Sequence, residues 1–413
     1  MICFYCRFIS SSERSDRYLF HLTNLKIWNK YGWRATILIA TEFFLTFSFF
    51  MFVPFISLYV TGHLGYSLTF AGILLALRLL GQQGFMMFGG YFGDVFGYKK
   101  MMFIGFLCRG IGFAGLGFAS SVSSLLIMAV IGGLGGALFS PALKSLLVYN
   151  QPKPLHRELF SFINVTGNAG IILGPLFGLL FSVDQFPILS VISGLLFIFI
   201  GCTLLFIPIK QTKRTEPISF SEGIRRIVQN RTLLNMIVLM IPFHFIHQQL
   251  FLTYPIIATR LTGSSGWLFT LVTILVVCGQ LFVTSYTKAL STHTALILGY
   301  LVLTLTFIPL FIYEHPISLI VSLIGIAFSL MLMQPTFHSY IVSQATSATL
   351  GIFLGFSNLS MAIGGALGNV FGGSTYDYFQ TNNQTYYYWM ILALVCISAC
   401  LFGRRISGKM EQR

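Results

Sequence analysis

The chain has 413 residues, 55% of them hydrophobic and only 9% charged, far less charge than a soluble fold of this size needs on its surface. Apolar runs of about 20 residues recur from end to end, the length at which a helix spans a bilayer. This excludes a soluble enzyme and indicates an all-α, polytopic membrane protein, in which the net charge of +14 is first a question of topology.

The runs predict helices over 36–60, 68–92, 99–118, 123–145, 159–181, 187–208, 233–257, 267–286, 294–313, 317–337, 350–373 and 386–403. A basic stretch precedes the first run, without the short apolar core and cleavage site of a removable leader. Twenty-two Lys and Arg fall on one side of the predicted membrane and Arg260 alone on the other, with Arg78 and Arg109 inside helices. Basic loops stay in the cytoplasm, so both termini are expected there and the helix count is even. The charge is a topology signal aided by anionic lipid, and nucleic acid is not an expected partner.

The expected organisation is a cytoplasmic segment (1–35), a six-helix bundle (36–208), a linker (209–232), a second six-helix bundle (233–403) and a cytoplasmic tail (404–413). In the linker, "KQTKRTEPISFSEGIRRIVQNRT", an amphipathic helix would rest Ile218, Ile224 and Ile227 on the membrane surface. The two bundles echo each other. "LFSPALKS" (138–145) matches "LMQPTFHS" (332–339) at an offset of 194, pairing Pro141 with Pro335. At the same offset the glycines of "GIILGPLFG" (170–178) meet Gly364, Gly368 and Gly372. Helices four and five therefore repeat as ten and eleven in the same orientation, the parallel repeat of a transporter built from two bundles. Of the seven cysteines, five lie in apolar helices and read as small hydrophobes, and Cys3 and Cys6 form a lone pair. No metal site and no disulfide framework is expected.

Between the second and third helices stands "GGYFGDVFGYKKMM" (89–102). A turn this tight needs Gly93 and Gly97 where side chains would block the backbone, and Asp94 can accept hydrogen bonds from a neighbouring helix N-terminus. The pattern resembles the signature loop of the major facilitator superfamily, here at Gly90, Asp94, Gly97, Lys99 and Lys100. Val95 stands where a basic residue usually follows the Asp. "GNAGIILGPLFG" (167–178) resembles the fifth-helix motif of the superfamily's antiporters, with Gly170, Gly174, Pro175 and Gly178 in place. "LRLLGQQG" (77–84) and "GFSNLSMAIGGALG" (355–368) resemble the twelve-helix drug:proton antiporter branch. Many of those carry an Arg in helix four where this chain has Ala129.

Of eleven acids, Glu42 alone lies well inside a predicted helix. "TEFFLTFSFFMFVP" (41–54) resembles the first helix of multidrug antiporters with a membrane-embedded glutamate, whose second acid is Phe50 here. At 1.5 Å per residue, Glu42, Arg109 and Arg78 lie roughly 10–12, 15 and 20 Å above the cytoplasmic edge. Glu42, Arg78 and Arg109 are therefore the candidate proton and substrate site, with a static salt bridge as the alternative for the arginines. Further cavity-lining candidates are Gln82, Asn164, His244, His247, Gln248, Gln334 and Asn358. His244, His247 and Gln248 share one face at i, i+3 and i+4.

The resemblance implies alternating access, with export of amphipathic compounds in exchange for protons by a monomer in a bacterial inner membrane. It implies no cofactor beyond the proton gradient, and partners limited to small-molecule substrate and membrane lipid. A dedicated carrier of one metabolite, such as a siderophore or a peptide-like compound, fits the same residues. A polytopic membrane enzyme or lipid-handling protein would need a catalytic constellation near an interface, and no such motif is present.

Overall fold

The computed structural model describes residues 27–149, 156–206, 220–287, 289–344 and 350–411, and among the side chains it leaves out are those of Asp94, Lys144 and Arg157. The basic stretch 1–26 with Cys3 and Cys6, most of the 4–5 connection with Lys153, the linker as far as 219 with Ile218, and Lys288 lie outside the described residues. What is described is helical. α1 (Ile27–Phe52) is broken at Gly32 (φ +77°) and runs on through a 3-10 turn at Pro54 and a π turn (Tyr59–His63). α2 comprises Leu68–Leu79, a π turn (Leu80–Gly84) and Met86–Phe96. There follow α3 (Tyr98–Leu116), α4 (Val122–Tyr149), α5 (His156–Gly178) and α6 (Phe186–Phe206). After the short linker helix Phe220–Gln229 come α7 (Arg231–His247 and Gln249–Thr262), α8 (Trp267–Thr287), α9 (Thr292–Ile312), α10 (Pro316–Gln344), α11 (Leu350–Thr381) and α12 (Tyr386–Glu411).

Nine spans among the described residues are long and apolar enough to cross a membrane. The other three rods have evident reasons to fall short. α3 carries Lys99, Lys100 and Arg109, only Phe162–Gly178 of α5 is apolar, and α11 is diluted by Gly, Ser and Asn. Several helices outrun their apolar cores. α11 reaches Thr381, and the segment 404–413, expected as a tail, continues α12 to Glu411. Once a helix has started, each further residue adds a backbone hydrogen bond whether or not its side chain is apolar.

Packing repeats with the sequence. α1 lies on α5 as α7 lies on α11, α3 on α4 and α6 as α9 on α10 and α12, and α2 on α4 as α8 on α10. Between the bundles α2 meets α11 and α8 meets α5, the same pair exchanged. The glycine stripes explain the first of these seams. A Cβ on Gly170, Gly174 or Gly178 would stand 2.1–2.8 Å from Thr46, Phe47 or Phe55 on α1. One on Gly364, Gly368 or Gly372 would stand 2.2–2.5 Å from Ile241, Phe245 or Gln249 on α7. Ser57 and Phe251, themselves 194 apart in sequence, meet where the bundles face, Oγ donating to the carbonyl at 3.3 Å. Gly174→Leu would drive a side chain into the Phe47 carbonyl, so α1 and α5 must separate. The expected cost is at least ~1–3 kcal/mol, read as a lower melting temperature in detergent.

The ends of the molecule differ. One end, the basic end, carries Lys99, Lys100 and the linker helix. In that helix Ile227 is buried where the helix packs against α7 and α11. It was expected on the membrane surface, but it is covered by protein, while Ile224 one turn before it is half-buried. At the opposite end the bundles are tied by Ser57 to Phe251, by Thr270 Oγ1 to the Ile172 carbonyl (3.2 Å), and by Asp377 to the start of α2. Three rings close the middle: Phe50, Phe251 and Phe269 have centroids 5.2–6.3 Å apart. Nearer the basic end, Asn164 of α5 and Pro335 of α10 are exposed.

Candidate functional site

The interruption of α2 sets the site. Its π turn, the "LGQQG" at 80–84, begins two residues after Arg78 and contains Gln82. Turns of this kind recur at functional positions because they re-aim side chains. Gln82 Oε1 accepts from Arg78 Nη1 at 3.2 Å and from Arg109 Nη1 of α3 at 3.0 Å. Arg109 Nη1 also donates to the Gly132 carbonyl of α4 at 3.1 Å. Arg78 is 4% exposed and Arg109 2%. Phe49, Phe113, Phe139 and Phe197 surround the Arg109 guanidinium at 4.7–5.8 Å, and Phe49 also faces Arg78 at 5.2 Å. Ring faces attract cations, most strongly where water is excluded. The Nε of each arginine has no acceptor among the described residues.

Room for this pair comes from "GGLGG" at 132–136 of α4, a stretch outside the motifs that carry the resemblance. Gly133 lets the α2 backbone approach at Arg78, and Gly132 and Gly135 admit α3. Gly136 leaves space for the charge itself, since a Cβ there would lie 2.1 Å from Arg109 Nη1. The doubled glycine pairs were the available signal.

Glu42 stands in the middle of α1, half-buried, with its side chain along α5; a Cβ on Gly167 would be 3.6 Å from Glu42 Cγ. Phe49, the ring shared by both guanidiniums, lies seven residues further along α1, hence on the same face and about 10 Å nearer the far end. The structure thus gathers Arg78, Arg109 and Gln82 tightly and puts Glu42 two turns below them.

The second bundle holds the imidazoles. α7 breaks at Gln248, directly after His247, with Pro242 inside the preceding stretch. His244 is 6% exposed, Gln248 is buried, and His247 is held between the rings of Phe243 (stacked, 6.3 Å) and Phe251 (edge-on, 5.9 Å). Neither His244 Nδ1 nor His247 Nδ1 has a hydrogen-bond partner among the described residues. No group of three metal-ligating side chains occurs among them. Gln334 is half-buried on α10, and Asn358 of α11 approaches Met86 of α2, Nδ2 to Sδ 3.2 Å. A buried network absent from the expectations lies alongside. Gln249 Nε2 donates to the Gly368 carbonyl at 2.8 Å, and the Tyr388 hydroxyl donates to Gln249 Oε1 at 2.9 Å. It ties α7 to α11 and α12.

The signature loop is tighter than its sequence suggests. α2 runs to Phe96 and α3 starts at Tyr98, so Gly97 alone makes the turn, with φ +95° and ψ +131°. Such a conformation favours glycine. Gly93 is needed for contact, as a Cβ would lie 2.6 Å from the Tyr98 ring, whereas nothing lies within 4 Å of a Cβ on Gly90. Lys99 is half-buried and Lys100 exposed. Pro175 is buried within α5. Asp94 belongs to the last turns of α2, remote from the arginine pair. Asp94→Asn is therefore expected to slow turnover and leave substrate affinity within a few-fold. A collapse of affinity with the fold preserved would place Asp94 in the binding site instead.

Two bundles of six helices, related by a repeat and enclosing buried charges, define a membrane transporter fold rather than an enzyme. The Major Facilitator Superfamily profile matches residues 38–369, and the chain belongs to that family. It is 28% identical to "Multidrug resistance protein MdtH" of Aeromonas hydrophila, over 86% of this chain and 90% of that one. The protein of the same name from Salmonella paratyphi B is 27% identical, over 91% and 95%. The fold resembles that of the nucleoside transporter NupG (TM-score 0.78, 13% identity, 90% of this chain and 99% of that one). It also resembles a bacterial homologue of the lysosomal transporter Spinster (TM-score 0.75, 14% identity, 91% and 97%).

Proposed function

We propose that the protein is a secondary active exporter of amphipathic small molecules, working by alternating access in exchange for protons. The observation that carries alternating access is the exchanged pairing of α2 with α11 and α8 with α5. Two similar bundles joined by similar seams can rock about the line between them, opening one end as the other closes. Export of amphipathic compounds is supported by the relatives named for multidrug resistance and by the aromatic cluster of Phe50, Phe251 and Phe269 where the bundles face. Apolar walls with few fixed polar groups accept varied ligands. Glu42 is the proposed exchangeable proton site, and the buried arginine pair keeps that bundle positive, which disfavours cations beside it. The protein would act as a monomer in a bacterial inner membrane with both termini in the cytoplasm, powered by the proton gradient without a cofactor.

The test is purified protein in liposomes under an imposed pH gradient, screened with amphipathic dyes and with single metabolites. Gradient-driven movement of several unrelated dyes is expected. Movement of one metabolite alone would make the protein a dedicated carrier, and flux indifferent to the gradient would remove protons from the mechanism.

A further inference from the structure

Helices α2 and α11 run antiparallel across the bundle interface, and each carries an aspartate in its final turns: Asp94 at the basic end, Asp377 at the opposite end. An acid at the end of α11 is at the unfavourable end of its own helix dipole but faces the favourable end of the α2 dipole. For Asp377 the consequence is visible. One carboxylate oxygen accepts from the Leu68 amide at 3.2 Å, and the other from the Thr69 amide and the Thr69 hydroxyl, both at 2.6 Å. These are the first amides of α2, which no turn of their own helix can satisfy. Ser67 caps the next available donor, its hydroxyl accepting from Phe70 N at 3.2 Å. The backbones are drawn close around this contact. A Cβ on Gly72 would lie 2.1 Å from the Asn369 carbonyl, and one on Gly373 would lie 2.7 Å from that of Leu68. Apart from the Ser67 cap, which lies within α2, these contacts join one bundle to the other.

We propose that Asp377 is the latch of the end opposite the basic loops: its carboxylate on the α2 N-terminus holds that end shut and must let go each time it opens. A charge-assisted contact suits this role because both sides of it are hydrated when parted. A buried apolar seam would be costlier to reopen. The glycines at 72 and 373 let the contact close fully without adding side chains that would have to be unpacked. The inference rests on the alternating-access part of the proposed function and on neither the substrate nor proton coupling.

Conformation alone can therefore test it. Two reporters are placed in a cysteine-free protein in detergent: Ser57→Cys, buried near Phe251 in the latched half, and Asn164→Cys, exposed in the basic half. Each is labelled with a bulky hydrophilic maleimide. Asp377→Ala is expected to raise the labelling rate of the first about tenfold and to lower that of the second, since one population grows as the other shrinks. Unchanged rates would overturn the proposal. So would a rise at both reporters, which would mean general loosening. Independently, the pair Thr69→Cys and Asp377→Cys, oxidised to a disulfide, should suppress labelling of the Ser57→Cys reporter. Labelling that persists in the cross-linked protein would show that this end opens without parting α2 from α11, and would equally overturn the latch.

Discussion

Glu42→Gln should leave the protein folded and able to bind ligand, yet reduce proton-gradient-driven flux to the background of protein-free liposomes. The physical case is one of position. Glu42 lies mid-helix in α1 and is half-buried, whereas Asp184, Glu314 and Asp377 sit at or near helix ends and in turns. A carboxyl group in a membrane interior is costly when charged, so it is retained where a proton must be taken up and released. Glutamine keeps the size and hydrogen-bonding capacity while fixing the neutral form. Alternating access itself should survive, so exchange of labelled ligand across a membrane without a gradient should continue in the variant. The measurement is flux of any dye that the wild-type protein moves, across a series of imposed gradients. Wild-type flux with the same pH dependence would remove Glu42 from coupling and turn attention to His244 and His247.

The second large effect is expected at Gln82. Its single carbonyl oxygen serves two buried guanidiniums, and among the described residues no other side chain accepts from their Nη groups. Gln82→Leu removes that acceptor while leaving both charges in place, a loss of about 3 kcal/mol. Arg109→Met is the instructive comparison. It deletes a charge but fills the same space among Phe49, Phe113, Phe139 and Phe197 with an apolar chain. Replacing buried ionic groups by well-packed hydrophobes is often neutral or stabilising. The neutral glutamine should thus matter more to stability than the charged arginine. Melting temperatures in detergent give the order directly, and the opposite order would mean that the aromatic box, not Gln82, holds the pair.

Much of the architecture is written locally. Apolar runs, basic loops and glycine spacing at an offset of 194 determine an even set of helices, a two-bundle repeat and the seams at Gly170, Gly174 and Gly178. They can do so because a membrane helix must satisfy its backbone internally, and because a close helix contact demands small residues in a regular stripe. Arg78, Arg109 and Glu42 were likewise conspicuous as charges where charge is costly. Their arrangement was not legible. That Gln82 would bridge the arginines depends on a π turn that re-aims it and on Gly136 of another helix yielding space. Asp377 reads in sequence as one more acid near a helix end. Only the antiparallel docking of α2 on α11 brings it to amides more than 300 residues away. The sequence by itself determined which helices exist and which faces must touch. The tertiary structure decided which polar groups share a hydrogen bond, because that choice depends on side-chain directions and on distances of a few tenths of an ångström between helices remote in the chain.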